Sequence, residues 1–215
     1  IQMALLHPDV AGSDEWLQKG LSRLNQRLSS DKYISETGVN KEHAPNYHYL
    51  VLLMLYETQQ LLEYHGHTLD HLDKLEQMKE HLAYVLKPDG EYPIISDSTN
   101  DVHMDVEDDF ENEYLKYVLT QGEEGEKPEQ VSMVYEDAGV AIFRDEWKTG
   151  NNFKDSTYFY FQAGFHNMTH KHADDLSFVL YSMGEDIFVN SGKYSYKDPD
   201  FRDYFISSLS KNTAT

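Results

Sequence analysis

Apolar residues along the first half of the chain recur at three- and four-residue steps, the spacing of one face of an α-helix. The first stripe follows Ser13, a residue type that favours helix N-caps, and opens with Asp14 and Glu15, which suit the positive end of a helix dipole. Its apolar positions are Trp16, Leu17, Leu21, Leu24 and Leu28. The pattern predicts a helix that begins near Ser13 and buries one side.

Two stronger helical patterns follow. One covers residues 46–64, and its stretch 49–56 is apolar on nearly every side, which predicts a helix that is buried all round. The other ends at the turn formed by residues 87–90. Its apolar positions are Leu72, Leu75, Leu82, Val85 and Leu86. A weaker pattern predicts a helix over residues 107–119, and helices of this length favour helical hairpins, as in a bundle or an α/α toroid.

After a polar linker at residues 121–130 the pattern changes to the alternation that is typical of β-strands. The β-favouring positions are Val140 and Ile142, Tyr158 and Tyr160, Phe178 and Leu180, and residues 187–189, with Gly184 and Gly192 at the turns. Helices followed by strands predict an α+β multidomain fold. We expect residues 1–125 to form part of an α/α toroid and residues 126–215 to begin an antiparallel β-sandwich.

Both ends of the sequence resemble the interior of an element. Residues 1–6 are typical of the middle of a helix, and residues 211–215 are typical of the middle of a strand. We therefore expect the sequence to be a piece of a longer protein.

The charge of the chain limits its partners. With 38 acidic and 18 basic residues, the 215-residue chain has a formal net charge of −20. This disfavours nucleic acid and anionic membranes, because phosphate binding depends on clustered cations, and the longest apolar run, residues 50–55, is too short for membrane insertion. The absence of cysteine excludes disulfides and thiolate metal sites. The compartment (secreted, periplasmic or cytoplasmic) and the oligomeric state stay open.

The acidic residues are unevenly distributed. Eleven acidic residues and one basic residue, Lys116, fall between positions 96 and 126. Like charges repel and stay hydrated, so this run predicts a solvated surface. Asp97, Asp101 and Asp105 lack the spacing and the central glycine of an EF-hand, which argues against a calcium loop.

Three of the eleven histidines, His166, His170 and His172, lie within seven residues, directly before a predicted strand. On an extended backbone His170 and His172 project to the same side. Two imidazoles there can bind a metal, move protons or hold an anion. Polar surface residues at a strand entry are the alternative interpretation.

Two further clusters are candidates for chemistry. Tyr47 and His48 fall in the first turn of the most buried predicted helix, where the helix dipole favours nearby anions; ordinary packing is the alternative. Residues 190–196, followed by Arg202, are rich in tyrosine, which suits sugar rings as well as half-buried strands. The sequence has no nucleophile elbow, P-loop, dinucleotide-binding or zinc-protease motif.

At these residues the sequence resembles the heparinase II/III-like polysaccharide lyases, which include heparin, heparan and alginate lyases. The resemblance is carried by residues 36–49, residues 89–97, the motif His170-x-His172-x-Asp174 with residues 176–178, and residues 190–196 continuing through 202–205 to 211–213. These segments occur in the family's order and span nearly the whole chain. The resemblance implies an α/α toroid followed by antiparallel β-sandwich sheets.

The resemblance also implies β-elimination on a uronic-acid polysaccharide. By position, Tyr47 matches the family's tyrosine that serves as general base or acid. His170 matches the histidine that neutralises the uronate carboxylate, Tyr196 matches an assisting tyrosine, and the family's asparagine would precede Ile1. Substrate contacts are expected from His48, Glu42, Tyr194 and Arg202.

Many members of the family bind a structural zinc, and the resemblance places its first ligand at His172. Asn190 and Lys211 stand at the other two ligand positions, and amide and ammonium groups are poor zinc ligands. The cofactor is therefore expected to be either none or a weakly held zinc. We predict that the Lys211 ammonium takes the place of the cation, near His172 and Asn190.

Three functions remain open from the sequence. The first is a lyase that acts on an acidic polysaccharide. The second is a catalytically degenerate protein of the same fold that binds or handles glycans. The third is a glycoside hydrolase that uses two carboxylates, for which Asp89, Asp97 and Asp105 are available without forming a distinctive pair.

Overall fold

The computed structural model of the chain describes residues 1–99 and 101–214. The helices of the first half are α1 Gln2–Leu6, α2 Ser13–Leu28, α3 Pro45–Tyr64, α4 Leu72–Val85 and α5 Glu113–Leu119. The second half contains β1 Ser132–Tyr135, β2 Val140–Arg144, β3 Tyr158–Gln162, β4 Ser177–Ser182, β5 Glu185–Phe188 and α6 Pro199–Ile206. The predicted combination of helices with an antiparallel sheet is confirmed.

The long helices lie close to their predicted positions. α3 begins at Pro45, whose fixed φ angle and missing N–H are tolerated in the first turn of a helix. The predicted cap of α2 was wrong: Ser13 is the first helical residue and donates its hydroxyl to the Pro8 carbonyl (2.8 Å), while Gly12 occupies the N-cap. Trp16 was also misassigned to the apolar stripe, since it is 46% exposed.

The weaker helix predicted over residues 107–119 is interrupted. Val106–Asp108 forms a short 3-10 turn, and α5 begins only at Glu113. Phe110 and Glu111, between them, have φ angles of +49° and +59°, which are incompatible with a right-handed helix. Asn112 then caps α5 by accepting a hydrogen bond from the Leu115 N–H (3.0 Å).

The five strands form one antiparallel sheet in the order β1-β2-β3-β4-β5. In β2, β3 and β4 alternate side chains point into the core. In β4 the buried positions are one residue away from the predicted ones, since Phe178 and Leu180 lie on the opposite, half-buried face. The buried positions are Val140, Ile142, Tyr158, Tyr160, Val179 and Tyr181. The predicted turn at Gly184 joins β4 and β5, and both turn residues, Met183 and Gly184, have positive φ angles, as a tight hairpin requires.

The sheet packs against the carboxyl end of α4, and buried apolar residues of both halves form one contiguous core. The Tyr158 hydroxyl donates to the Val85 carbonyl (2.7 Å), and the buried Arg144 guanidinium donates to the carbonyls of Tyr84 and Leu86. These bonds satisfy the backbone carbonyls at the end of the helix. They also fix how the helical half faces the sheet.

The loop before α3 approaches α4 closely at Gly38. A side chain there would place its Cβ 2.5 Å from the Gln77 carbonyl carbon and 2.7 Å from the Met78 nitrogen, and φ is +82°. Only glycine meets both requirements. The loop is thereby pressed against α4 and sets the start of α3.

The strand predicted at residues 211–215 is absent from the part of it that the structure describes, residues 211–214. α6 and a 3-10 turn at Ser208–Ser210 precede this segment. Asn212 nevertheless lies beside β4, because its side chain donates to the carbonyls of Phe178 (3.1 Å) and Val189 (2.8 Å). These bonds hold the neighbouring Lys211 in a defined position.

Candidate active site

Three distant segments meet at one cleft between the helical half and the sheet. Tyr47, in the first turn of α3, stacks on the His170 imidazole with 4.0 Å between ring centroids. The Tyr196 hydroxyl lies 3.4 Å from the Tyr47 hydroxyl and 3.2 Å from His170 Nδ1. The structure therefore brings together the three residues that the resemblance selects for catalysis.

The backbone at the histidine pair differs from the prediction. His170 lies in a turn with a φ angle of +56°, so His170 and His172 are not on an extended strand. Asp174 anchors this turn, because its carboxylate accepts from the Ser96 N–H (2.9 Å), the Ser96 hydroxyl (2.7 Å) and Lys171 Nζ (2.5 Å). The motif therefore connects this turn to Ser96 and, through its two histidines, to Asp97.

Asp97 is the centre of the cluster, a role that sequence reasoning missed. Its Oδ2 accepts from the Tyr196 hydroxyl (2.7 Å) and from His170 Nδ1 (3.0 Å). Its Oδ1 accepts from His172 Nε2 (2.7 Å) and pairs with an Arg202 guanidinium nitrogen (2.6 Å). Asp97 is buried, so the prediction that residues 96–126 form a uniformly solvated surface was wrong at this position.

This arrangement shifts the pKa values of Asp97 and Tyr196 in opposite directions. Burial alone raises the pKa of Asp97, but hydrogen bonds from His172, Tyr196 and the other donors lower it well below its ordinary range. Burial of the Tyr196 hydroxyl, together with its bonds to Tyr47 and Asp97, raises the pKa of that phenol well above its ordinary range. At neutral pH the cluster therefore contains an ionised Asp97 and a protonated Tyr196.

A second layer of polar groups lies behind Asp97. His172 is buried, and its Nδ1 lies 3.0 Å from Lys211 Nζ. The same Nζ donates to Asn190 Oδ1 (2.7 Å) and to the Ser191 hydroxyl (3.2 Å). Burial lowers the pKa of Lys211 to about 8, so the ammonium form still dominates at pH 7.

These residues do not fit a zinc ion. Zinc sites use histidine nitrogens, thiolates and carboxylates, and here an ammonium lies between an imidazole and an amide oxygen. Among residues 1–99 and 101–214, no group of three or more His, Asp or Glu side chains is arranged to hold a metal ion. We derive no chemical step through zinc.

Some of the predicted substrate contacts lie at the cleft. Arg202 donates to the Lys193 carbonyl (2.9 Å), and its guanidinium covers the Tyr196 ring at 4.9 Å. Glu42 Oε2 lies 3.8 Å from His170 Nε2, on the side of the ring opposite Asp97. Both residues therefore border the catalytic candidates.

The structure places other candidates elsewhere. His48 is buried, with Nε2 bonded to the Met78 carbonyl (2.9 Å) and Nδ1 to the Asn40 N–H (3.2 Å), so it cannot contact a substrate. Burial lowers the pKa of His48 to about 4. Tyr194 stacks on Phe205 of α6, with 4.8 Å between ring centroids. His166 bonds to the Ala138 carbonyl (2.9 Å) rather than joining the cluster.

A groove beside the cluster carries basic side chains that the sequence analysis did not single out. A cavity of about 240 Å³, bordered by Glu42 and Thr169, continues into one of about 590 Å³. We call this the basic groove; its cations are Arg23, Arg27, Lys32 and Lys41. Within the described part of the chain, no carboxylate lies within 4.0 Å of these four cations.

Within the described residues, no helix combines the length and the apolar character needed to span a membrane.

Of the three carboxylates considered for a glycosidase, Asp89 pairs with Lys87 (3.0 Å) and Asp97 is enclosed by its four donors. No opposed pair of free carboxylates is therefore formed by these two residues.

Known protein families match both halves of the chain. A family model described as Heparinase II/III N-terminus matches residues 1–122, and one described as Heparinase II/III-like, C-terminal matches residues 128–215. Heparin-sulfate lyases of Bacteroides stercoris and Bacteroides thetaiotaomicron are each 25% identical to the chain, over 88% and 97% of its length respectively. The chain spans 29% and 34% of those relatives.

Two solved structures with similar folds are that of a heparinase III and that of the heparan sulfate lyase HepC from Pedobacter heparinus. The first has a TM-score of 0.85 and 22% identity, and the match covers 99% of this chain and 37% of that one. The second has a TM-score of 0.75 and 22% identity, covering 94% of this chain and 33% of that one. The chain therefore has a fold similar to that of the matched part of these proteins.

Proposed function

Because this chain belongs to the heparinase II/III family, we propose that it forms the catalytic cleft of a polysaccharide lyase that cleaves a uronic-acid-containing glycan by β-elimination. The observation that carries the proposal is the meeting of Tyr47, His170 and Tyr196 around the buried Asp97. The names of the relatives, heparin-sulfate lyases, support an acidic glycan as the substrate.

The proposed reaction needs three functions in one place. A base removes the proton α to the uronate carboxylate, and the electron pair of that C–H bond forms a carbon–carbon double bond. The bond to the 4-linked oxygen then breaks, and the departing oxygen takes a proton from an acid. Positive charge or hydrogen-bond donors at the carboxylate stabilise the enolate-like charge that develops there.

The titration of the cluster suggests how the roles divide. Tyr196 stays protonated beside the ionised Asp97, which suits it to donate a proton to the departing oxygen. Tyr47, whose hydroxyl lies 3.4 Å from that of Tyr196, can remove the α proton as the phenolate, after its own proton has passed to solvent. We therefore assign Tyr47 as the base and Tyr196 as the acid.

His170 is placed to bind the uronate carboxylate. Its Nδ1 proton is directed to Asp97, because a carboxylate only accepts hydrogen bonds. In the imidazolium form both ring nitrogens donate, so Nε2–H faces Glu42 across 3.8 Å and can donate to a substrate carboxylate instead. We propose that the uronate carboxylate replaces Glu42 there, while the basic groove binds further acidic sugars of the same chain.

The same proposal covers the architecture of the longer protein. We propose that the helices form part of an α/α toroid and that the sheet is the first of a β-sandwich, with the division near residues 125 and 126. A row of phenylalanines on the outer sheet face supports this, because such a face is normally covered by a second sheet. The row is Phe143, Phe159, Phe178 and Phe188, with successive ring centroids 5.3 to 6.1 Å apart.

The test uses the full-length protein and follows the ultraviolet absorbance of the unsaturated sugar product. We expect Tyr47→Phe and His170→Ala each to lower kcat by at least about 100-fold, the usual contribution of acid–base and charge-stabilising groups. Tyr64→Phe is the matched control, because it removes an exposed tyrosine hydroxyl at the other end of α3, and it should retain wild-type kcat.

Glycan binding without product formation, unchanged in Tyr47→Phe, would instead identify a degenerate protein that binds glycans. Equal loss of activity in Tyr64→Phe would contradict the assignment of the base. Each of these outcomes can be read from one set of binding and absorbance measurements.

A further inference from the structure

We propose that Lys211 is a built-in structural cation that fixes the tautomer of His172 and thereby positions Asp97 for the catalytic cluster, in place of a bound metal. Lys211 is a positioning residue here, since it touches neither Tyr47 nor His170. The stability and metal measurements below are independent of the proposed function. Only the kinetic measurement rests on it.

The contacts of Lys211 determine which nitrogen of His172 carries the proton. An ammonium has only donors, and Nζ lies 3.0 Å from His172 Nδ1. Nδ1 must therefore be the unprotonated acceptor, so the ring proton resides on Nε2. That proton is donated to Asp97 Oδ1 across 2.7 Å. The opposite tautomer would bring Nδ1–H against the ammonium and leave Asp97 without this donor.

The bond from His172 fixes the orientation of the Asp97 carboxylate, which in turn positions the residues of the cleft. With Oδ1 held by His172 and Arg202, the carboxylate plane is fixed, and Oδ2 is directed at Tyr196 and His170. Loss of the His172 bond would allow the carboxylate to rotate. The distance between Tyr196 and Tyr47 would then vary, and catalysis depends on such distances.

The surroundings of Lys211 are those of a fixed cation rather than of a surface lysine. Its three acceptors are the neutral groups of His172, Asn190 and Ser191, at 2.7 to 3.2 Å. Asn212, the next residue, is tied by its side chain to Phe178 of β4 (3.1 Å) and to Val189, directly after β5 (2.8 Å). The ammonium is therefore held from its own backbone as well as from its partners.

The experiment compares four forms of the full-length protein after treatment with a chelator: wild type, Lys211→Met, Lys197→Met and the double variant Lys211→His with Asn190→Asp. The double variant supplies a carboxylate and a second imidazole beside His172, which is a three-ligand zinc set. Lys197→Met removes an exposed lysine and serves as the control. Zinc content, the melting temperature with and without zinc, kcat and KM are measured for each form.

We expect wild type to retain no stoichiometric zinc and to show the same melting temperature with and without added zinc. Lys211→Met should lower kcat about 10- to 100-fold, as the loss of supporting contacts at metal sites does, with little change in KM. The double variant should bind one zinc per chain, and zinc should restore its melting temperature and kcat. Lys197→Met should match wild type.

Three results would overturn the proposal. The first is one zinc per wild-type chain that survives chelation. The second is a Lys211→Met variant with wild-type melting temperature and kcat. The third is a double variant that takes up no zinc, which would show that Lys211 does not occupy a cation position. If wild type forms no unsaturated product, the proposed function fails, while the zinc and melting measurements still decide the role of Lys211.

Discussion

Asp97 accepts hydrogen bonds from four side chains that come from three separate parts of the second half of the sequence. Its neighbours in sequence gave no indication of this, because an acidic run ordinarily stays in water. The Asp97 carboxylate can be buried because the fold brings positive and neutral hydrogen-bond donors to it. The hydrogen bonds of one buried carboxylate thus fix the positions of the side chains that line the cleft.

The residue-scale prediction is that Asp97→Asn destabilises the protein. Removing the buried carboxylate of this ion pair costs about 3 kcal/mol of unfolding free energy, because Asp97 is 2% exposed and the partly buried Arg202 loses its partner. Asp101→Asn is the matched control from the same acidic run, and a change at an exposed position should stay within about 0.5 kcal/mol. Urea unfolding of both variants measures the difference, and equal effects would contradict the central role of Asp97.

At the scale of elements, the helices and most strands could be predicted because their apolar periodicity is strong. β1 was not singled out, since only Tyr135 of its four residues is buried and the signal is short. The turn at His170 could not be predicted either, because a left-handed backbone at a histidine leaves no pattern in the sequence. The first turn of α3 was correctly located, but periodicity did not say that Tyr47 would face the cleft and His48 the core.

The stability that His48 contributes by joining α3 to α4 depends on pH. Its two bonds require the neutral imidazole, with Nε2 donating to Met78 and Nδ1 accepting from Asn40. The pKa of His48 is about 4 in the folded protein and about 6.5 in an unfolded chain. Between these values the unfolded state binds more protons, so the stabilisation that is complete above pH 6.5 is lost as pH falls toward 4.

We therefore expect the unfolding free energy to fall from pH 7.5 to pH 5, in a range where carboxylates remain ionised, with His48 accounting for up to about 2 kcal/mol of the loss at pH 5. His48→Gln should show a shallower pH dependence than wild type. His7→Gln, which removes an exposed histidine, should keep the wild-type slope. Urea unfolding at several pH values measures this, and a flat wild-type profile would contradict it.

Across the whole molecule, the net charge of −20 conceals a local excess of cations. This excess is not visible in the sequence, because Arg23 and Arg27 come from α2 while Lys32 and Lys41 come from the following loop. The Arg27 guanidinium lies 4.3 Å above the Tyr33 ring, which holds it over the groove. Surface charges more than about 8 Å away are screened at physiological salt, so a bound acidic glycan senses these cations rather than the global charge.

The last prediction concerns this groove. The double variant Arg27→Ala with Lys32→Ala should raise KM for an acidic glycan about 5- to 30-fold, from about 0.5 to 1 kcal/mol for each exposed ion pair. kcat should stay unchanged, because neither residue touches the catalytic cluster. Lys127→Ala, an exposed lysine outside the groove, should leave KM unaltered.

Added salt should reduce the difference between the double variant and wild type, because exposed ion pairs are screened. If KM instead rises equally in Lys127→Ala, the glycan responds to net charge and not to the groove. If kcat falls in the double variant, the groove shapes the cleft itself. Binding along the groove would explain how an acidic protein holds an acidic polymer in register with Tyr47 and His170.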